Sequence, residues 1–154
     1  MKIVLVDDNP LLRKTMRNLL VKLPCEVKEF SSGEEAITYL IDSNFSYDLV
    51  ILDGNLASPY LSEKTKPCNG PDVAEAILKY NKDIPIVVWT DDPMMITAFQ
   101  EKFDAHNKGP ILKLKKPIEP ANLKEVLMPF IEAVAQETED RPSVRPRSFT
   151  SPGF

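Results

Sequence analysis

The sequence predicts an α/β domain, a doubly wound five-stranded parallel sheet lying between two layers of helices. Three observations carry that prediction. Short apolar runs recur at 2–6, 27–30, 48–52, 85–89 and 110–114, and stretches of helical periodicity separate them. Strands that run parallel need crossovers of this kind, since a two-residue turn can only join antiparallel neighbours. The runs Ile3 to Val6 and Leu49 to Leu52 are apolar without alternation, as expected of strands covered on both faces.

In chain order, residues 2–6 read as a strand in which only Lys2 is polar. Asn9-Pro10 caps and opens a helix, because the Asn side chain accepts from exposed N–H groups and proline has no N–H to leave unpaired. Leu12, Met16, Leu19, Leu20 and Leu23 share one face of that helix, and Pro24 stops it. A more exposed strand follows at 27–30. Ser31-Ser32-Gly33 then starts a helix carrying Ala36, Ile37, Leu40 and Ile41, and the third strand spans 48–52. Pro71 opens a helix with Val73, Ile77 and Tyr80 on its inner face. After the fourth strand at 85–89, Asp92-Pro93 opens a helix containing Met95, Phe99 and Phe103. The fifth strand spans 110–114, and Pro120 opens the last helix. Leu123, Val126, Leu127, Phe130, Ile131 and Val134 keep helical spacing through Pro129, which predicts a kink there rather than an end. The usual five-strand order, 2-1-3-4-5, gives a three-layer, flavodoxin-like fold. It sets strands 1 and 3 side by side at the switch point, where ligands bind beyond the carboxyl ends.

Two segments break the rhythm. Residues 54–70 form a connection longer than most between strand and helix, containing Glu63, Lys64 and Lys66. Residues 137–154 are polar and carry Pro142, Pro146 and Pro152; too little apolar surface offsets ordering entropy, which predicts a disordered tail after a domain at 1–136.

Bulk properties exclude several functions. A formal net charge of −4 argues against nonspecific nucleic-acid binding, which needs clustered Lys and Arg. No apolar stretch approaches the roughly 18 residues of a membrane span, and Asp7 interrupts the N-terminal run too early for a signal peptide. A cytoplasmic protein with two reduced thiols, Cys25 and Cys68, is the expectation.

The ends of the strands hold the chemistry. Asp7-Asp8 follows strand 1, Asp53 strand 3, Thr90 strand 4, and Lys115-Lys116 strand 5. Parallel neighbours bring those ends to one rim. Three carboxylates there repel one another and call for a cation; hard oxygen donors in a small site suit Mg²⁺. A strand-end carboxylate can attack a phosphoryl donor, giving an aspartyl phosphate, and phosphoryl transfer needs mostly positioning and charge neutralisation. Asp53 is the candidate nucleophile, with Thr90 as a neutral donor and Lys115 or Lys116 as the ammonium. Asp91 and Asp92 read as helix-capping residues rather than further ligands, and His106, the only histidine, as an ordinary surface residue.

Val-Asp-Asp-Asn-Pro (6–10), Leu-Val-Ile-Leu-Asp (49–53), Trp-Thr (89–90) and Lys-Lys-Pro (115–117) together resemble the receiver domain of two-component response regulators, from Met1 to about Ala135. The resemblance implies that Asp53 takes a phosphoryl group from a sensor histidine kinase or a histidine phosphotransfer protein. It further implies that Asp8, Asp53 and the backbone carbonyl of Asn55 ligate Mg²⁺ directly while Asp7 acts through water. Thr90 and Lys116 would hold the phosphoryl oxygens, Lys116 being the residue immediately before the proline, and Lys116-Pro117 would be a cis peptide.

The pattern departs from the family in two places. Gly54-Asn55-Leu56-Ala57 replaces the usual Met-Pro after the acceptor, with Gly70 arriving only after an insertion. Lys113 stands where receivers often carry an aromatic whose rotation reports phosphorylation. With no DNA-binding or enzymatic domain following, the expected role is a stand-alone phosphoacceptor, not a turnover enzyme. Its output would be phosphorylation-gated binding of another protein, for which the resemblance implies a face of the fourth helix, fifth strand and last helix, or passing the phosphoryl group onward. Two alternatives are a receiver-like scaffold that is never phosphorylated and a phosphatase of the haloacid dehalogenase type. The latter normally has an Asp two residues after the nucleophile, where Asn55 stands.

Overall fold

A computed structural model of the chain describes residues 1–56 and 68–140. Ten elements alternate: β1 (Lys2–Val6), α1 (Pro10–Leu20), β2 (Glu26–Phe30), α2 (Gly33–Leu40), β3 (Leu49–Leu52), α3 (Gly70–Tyr80), β4 (Ile86–Trp89), α4 (Pro93–Ala105), β5 (Leu112–Leu114) and α5 (Pro120–Asp140). The five strands form one parallel sheet in the order β2-β1-β3-β4-β5.

The alternation of side chains across each strand divides the core in two. Val4, Val6, Val50, Leu52, Ile86 and Val88 face α2, α3 and α4, against residues such as Leu40, Ile77 and Phe99. Ile3, Leu5, Leu49, Ile51, Val87 and Trp89 face α1 and α5, against Met16, Leu20, Leu123 and Leu127. Every residue of β3 and β4 is therefore buried, and so is β1 beyond Lys2. The edge strands are more exposed: β2 has no fully buried residue and β5 has one, Leu114.

The helix starts follow the sequence signals. Asn9 accepts from the N–H groups of Leu11 and Leu12, Ser32 from Glu35, and Asp92 from Met94. Both cysteines are free thiols, and among the described residues no helix is long and apolar enough to cross a membrane.

Three expectations shift. Strand 5 begins at Leu112 instead of 110, since Pro110 has no N–H for a ladder. Tyr80 is 47% exposed, and Ala74 and Leu78 take the inner face with Val73 and Ile77. The last helix passes Pro129 without ending and continues to Asp140, four residues into the segment expected to be disordered. Gln136 to Asp140 contains neither Pro nor Gly, and polar residues of this kind can extend a helix as well as leave a chain disordered. The remainder of that segment, 141–154, and the greater part of the long connection, 57–67 with Glu63, Lys64 and Lys66, lie outside the described residues.

Candidate functional site

The register of the central strands sets the site. Val6 is level with Leu52 across the β1–β3 pair, so Asp7 and Asp53 emerge side by side at the carboxyl end. The N–H of Asp53 donates to the carbonyl of Val6 at 2.9 Å, and the N–H of Asp7 to that of Phe30 at 3.2 Å, which carries the ladder one residue past each strand. Asp7, Asp8 and Asp53 each direct a carboxylate oxygen to within 4.8 Å of the others. Asp7 and Asp53 are buried, at 0% and 5% exposure.

Two buried carboxylates in contact are held partly against their preference. Burial pushes the Asp53 carboxyl up to about 6, the charge of Asp7 pushes the same way, and the Lys116 ammonium opposes both. Asp7 is raised too, chiefly by burial, against the N–H of Asn9 and the Lys116 charge. Asn9 donates to Asp7 Oδ1 at 2.8 Å, and the Arg13 guanidinium donates to the Asp7 carbonyl at 2.8 Å. Both contacts hold Asp7 in place without neutralising the cluster.

Lys116 arrives from the other side of the sheet. Its Nζ donates to Asp53 Oδ1 at 3.0 Å and to Asp7 Oδ2 at 3.4 Å, and the Lys116-Pro117 peptide is cis. Lys115, the competing candidate, turns outward and pairs with Glu119 at 3.2 Å. Thr90 is buried at the end of β4, and its hydroxyl accepts the N–H of Asp92 at 3.2 Å. A Cβ added at Gly54 would lie 3.1 Å from that hydroxyl oxygen and 2.8 Å from Met95 Cβ. The backbone just after Asp53 thus touches both Thr90 and α4, and a side chain at position 54 would force them apart. Gly70 is tighter still, since a Cβ there would fall 2.1 Å from the Asp53 carbonyl oxygen.

Asn55 is exposed, and its side-chain amide donates to Asp92 Oδ2 at 3.1 Å. Asp92 therefore caps α4, as expected, and also ties the β3–α3 connection to the β4–α4 corner. Lys113 is exposed on β5 opposite Val88, and with Thr90 and Lys116 it lines an open cleft of about 320 Å³ beside the cluster. His106 follows α4 away from the rim. The contacts of Gly70, Asn55 and Trp89 with the site are not apparent in the sequence, because each depends on a partner from a distant element, and that of Arg13 with the Asp7 carbonyl depends on how the turn before α1 folds back. The one signal available was the unusual Trp at the end of an otherwise aliphatic strand.

Asp7, Asp8, Asp53, Thr90 and Lys116 thus stand at one rim. Residues 3–128 match the model of the response regulator receiver domain. The two-component response regulator-like PRR37 proteins of Oryza sativa subspecies indica and japonica are 30% identical to the chain over 127 residues. That stretch is 81% of this chain and 15% of theirs, so the chain spans a small part of the length of these relatives. Among solved structures, the fold is similar to the receiver domain of the Pseudomonas aeruginosa sensor histidine kinase PA1611, crystallised with magnesium in its active-site cleft. That likeness has a TM-score of 0.61 at 24% identity and covers 85% of this chain and 97% of the other. The chemotaxis protein CheY4 of Vibrio cholerae gives a TM-score of 0.62 at 23% identity, over 84% of this chain and 97% of its own. The family match runs from β1 into α5 and takes in every strand that ends at the rim, and on that ground the chain belongs to the response regulator receiver domain family.

Proposed function

We propose that Asp53 accepts a phosphoryl group from a phosphohistidine of a sensor histidine kinase or a histidine phosphotransfer protein. The phosphorylated chain then signals by binding another protein. The observation that carries this reading is the position of the Lys116 ammonium, 3.0 Å from Asp53 and 3.4 Å from Asp7 within a cluster of three carboxylates. In the transfer, an Asp53 carboxylate oxygen bonds to phosphorus as the P–N bond to the donor imidazole breaks. The bonding pair leaves with the imidazole nitrogen, and Asp53 becomes an acyl phosphate.

Phosphoryl transfer is helped mainly by positioning and by neutralising charge on the equatorial oxygens. Lys116 supplies a cation already beside the nucleophile. The Thr90 hydroxyl uses a lone pair on the Asp92 N–H, which leaves its own proton to donate to a phosphoryl oxygen. The donor set fits Mg²⁺, being oxygen throughout and crowded enough that burial and mutual repulsion raise Asp53 and Asp7. Asp8, Asp53 and the Asn55 carbonyl would hold the ion directly and Asp7 through water. When bound it supplies positive charge against the phosphoryl oxygens.

The chain in this reading is a phosphoacceptor that assists its own phosphorylation and dephosphorylation, not a turnover enzyme. A haloacid dehalogenase-type phosphatase needs a second acid two residues after its nucleophile; Asn55 stands there, and its amide is engaged with Asp92. Incubation with acetyl phosphate or a phosphohistidine donor tests the proposal. The expected result is a Mg²⁺-dependent phosphoryl mass gain on the wild type and none on Asp53→Asn. No gain on the wild type, or an equal gain on the variant, would sink it.

A further inference from the structure

We infer that Trp89 is a positioning residue for Lys116, its indole ring serving as an uncharged seat that holds the ammonium at the rim. The inference rests on the reading of Lys116 as the phosphoryl-binding cation. The Nζ of Lys116 lies 4.6 Å from the centroid of the Trp89 ring, while the same Nζ donates to Asp53 and Asp7. The indole N–H donates to the carbonyl of Lys115 at 3.1 Å. One side chain therefore fixes both the backbone just before Lys116 and the charged end of Lys116 itself. Trp89 is fully buried and the Lys116 side chain is 15% exposed, so the cation–π contact acts where water does little to weaken it.

The kind of seat matters. A carboxylate behind Lys116 would hold the ammonium as well, but it would cancel the charge that a phosphoryl group has to find. An aromatic face attracts a cation through its quadrupole and leaves its charge intact. Asp7 and Asp53 supply attraction from one side only, and a divalent ion on those carboxylates would push the ammonium away. The ring opposes that displacement, so the cation stays within reach of Asp53 when metal and phosphoryl group are both present. Trp89 is also a core residue packed with Ile51 and Leu114, and the test has to separate the two roles.

Trp89 is the only tryptophan, so biosynthetic incorporation of mono-, di- and trifluorotryptophan alters this ring alone. Fluorination drains the ring face of negative charge with little change of shape. The full chain, with Mg²⁺, is titrated with beryllofluoride as the phosphoryl probe. Binding should weaken stepwise with fluorine number, reaching about fivefold to thirtyfold, the range of a desolvated cation–π contact. Mg²⁺ affinity without the probe should change less than twofold. Trp89→Leu should weaken the probe to a similar extent, Trp89→Phe much less, and Trp89→Leu should add nothing in a Lys116→Met background. A purely structural role would give no dependence on fluorine number and an equal loss in both backgrounds, and either result overturns the inference. A second readout needs no phosphoryl probe: the Lys116 Hε protons should be shifted upfield by the indole ring current and return to ordinary values in Trp89→Leu. Their absence from the shifted region in the wild type overturns the positioning role whatever the probe does. A wild type that shows the shift but never binds beryllofluoride counts against the phosphoacceptor reading instead.

Discussion

β3 and β5 each deliver one charged group to the rim, Asp53 and Lys116, and they do so by different means. β3 pairs with β1 and β4 and buries all of its residues. Asp53 is then fixed by a ladder bond to Val6 and needs no further device. β5 has three residues, pairs with β4 alone, and leaves Leu112 41% exposed. Its last stretch is held by side chains instead: the N–H of Lys115 donates to Asn122 Oδ1 at 2.9 Å, and the carbonyl of Lys115 accepts from Trp89. Asp53 is placed by the sheet, and the Lys116 ammonium by side-chain contacts on an edge. The edge is therefore where a binding event can move something at low cost, and the centre is where it cannot.

The largest effect that could break this comparison is on chemistry. Asp53→Asn should abolish phosphoryl labelling outright. Lys116→Met should leave a residual rate lower by about 10²–10³-fold, the usual loss of one preorganised charge-stabilising donor. Equal, total losses would mean that the edge residue is as indispensable as the central one. Stability gives the next contrast. Ile51→Ala, in the fully packed centre, should cost about 2–5 kcal/mol, whereas Leu112→Ala should cost under about 1 kcal/mol because much of its surface is already exposed. Urea melts of the two variants would settle the order, and similar costs would show that β5 is as constrained as β3.

pH sharpens the same contrast at the carboxylates. The Asp53 pKa in the folded chain, about 6, lies above the unfolded value of about 3.9. Between those values the folded state binds more protons, so this group's contribution falls as pH rises through the window and is least favourable above it. Without divalent cations, Asp53→Asn should therefore be more stable than the wild type by roughly 1–3 kcal/mol at neutral pH. The gap should close at about pH 4, where the carboxyl is protonated in the folded chain. Thermal melts in chelator at both pH values test this, and a gap independent of pH would rule out charge as its cause. The smallest effect expected is that of Lys113→Ala, within about 0.5 kcal/mol as for most exposed positions.

The sequence made the centre of this molecule readable and its edges less so. Unbroken apolar runs at 3–6 and 49–52 can only be strands covered on both faces, and the acidic residues that follow them fall together once the strands are parallel neighbours. Caps at Asn9, Ser32 and Asp92 were legible because capping is local chemistry. The family resemblance pointed to Lys116 over Lys115; Lys116 pairs with Asp53 and Asp7, and Lys115 with Glu119. What stayed hidden depends on phase or distance. Tyr80 shares a helical stripe with Val73 and Ile77 but lies at the exposed end of α3, where the packing against the sheet runs out. The course of α5 to Asp140 could not be read from polarity, which reports burial and not helicity. The seat of Lys116 on Trp89 and the tie from Asn55 to Asp92 join residues 27 and 37 positions apart, and nothing local encodes them.

The close approach of Gly70 to Asp53 has one more consequence. The N–H of Gly70 donates to the Gly54 carbonyl at 2.9 Å, and the N–H of Leu56 donates to Asn69 Oδ1 at 3.0 Å. The chain thus leaves the rim and re-enters it through one clasped gateway, whose two posts stand beside Asp53. Lengthening the excursion between them adds only slowly to the loop-closure entropy. In terms of loop closure the stretch 57–67 is a graft point, whose length can change at little cost while the clasp of Gly54 with Gly70 and of Leu56 with Asn69 persists.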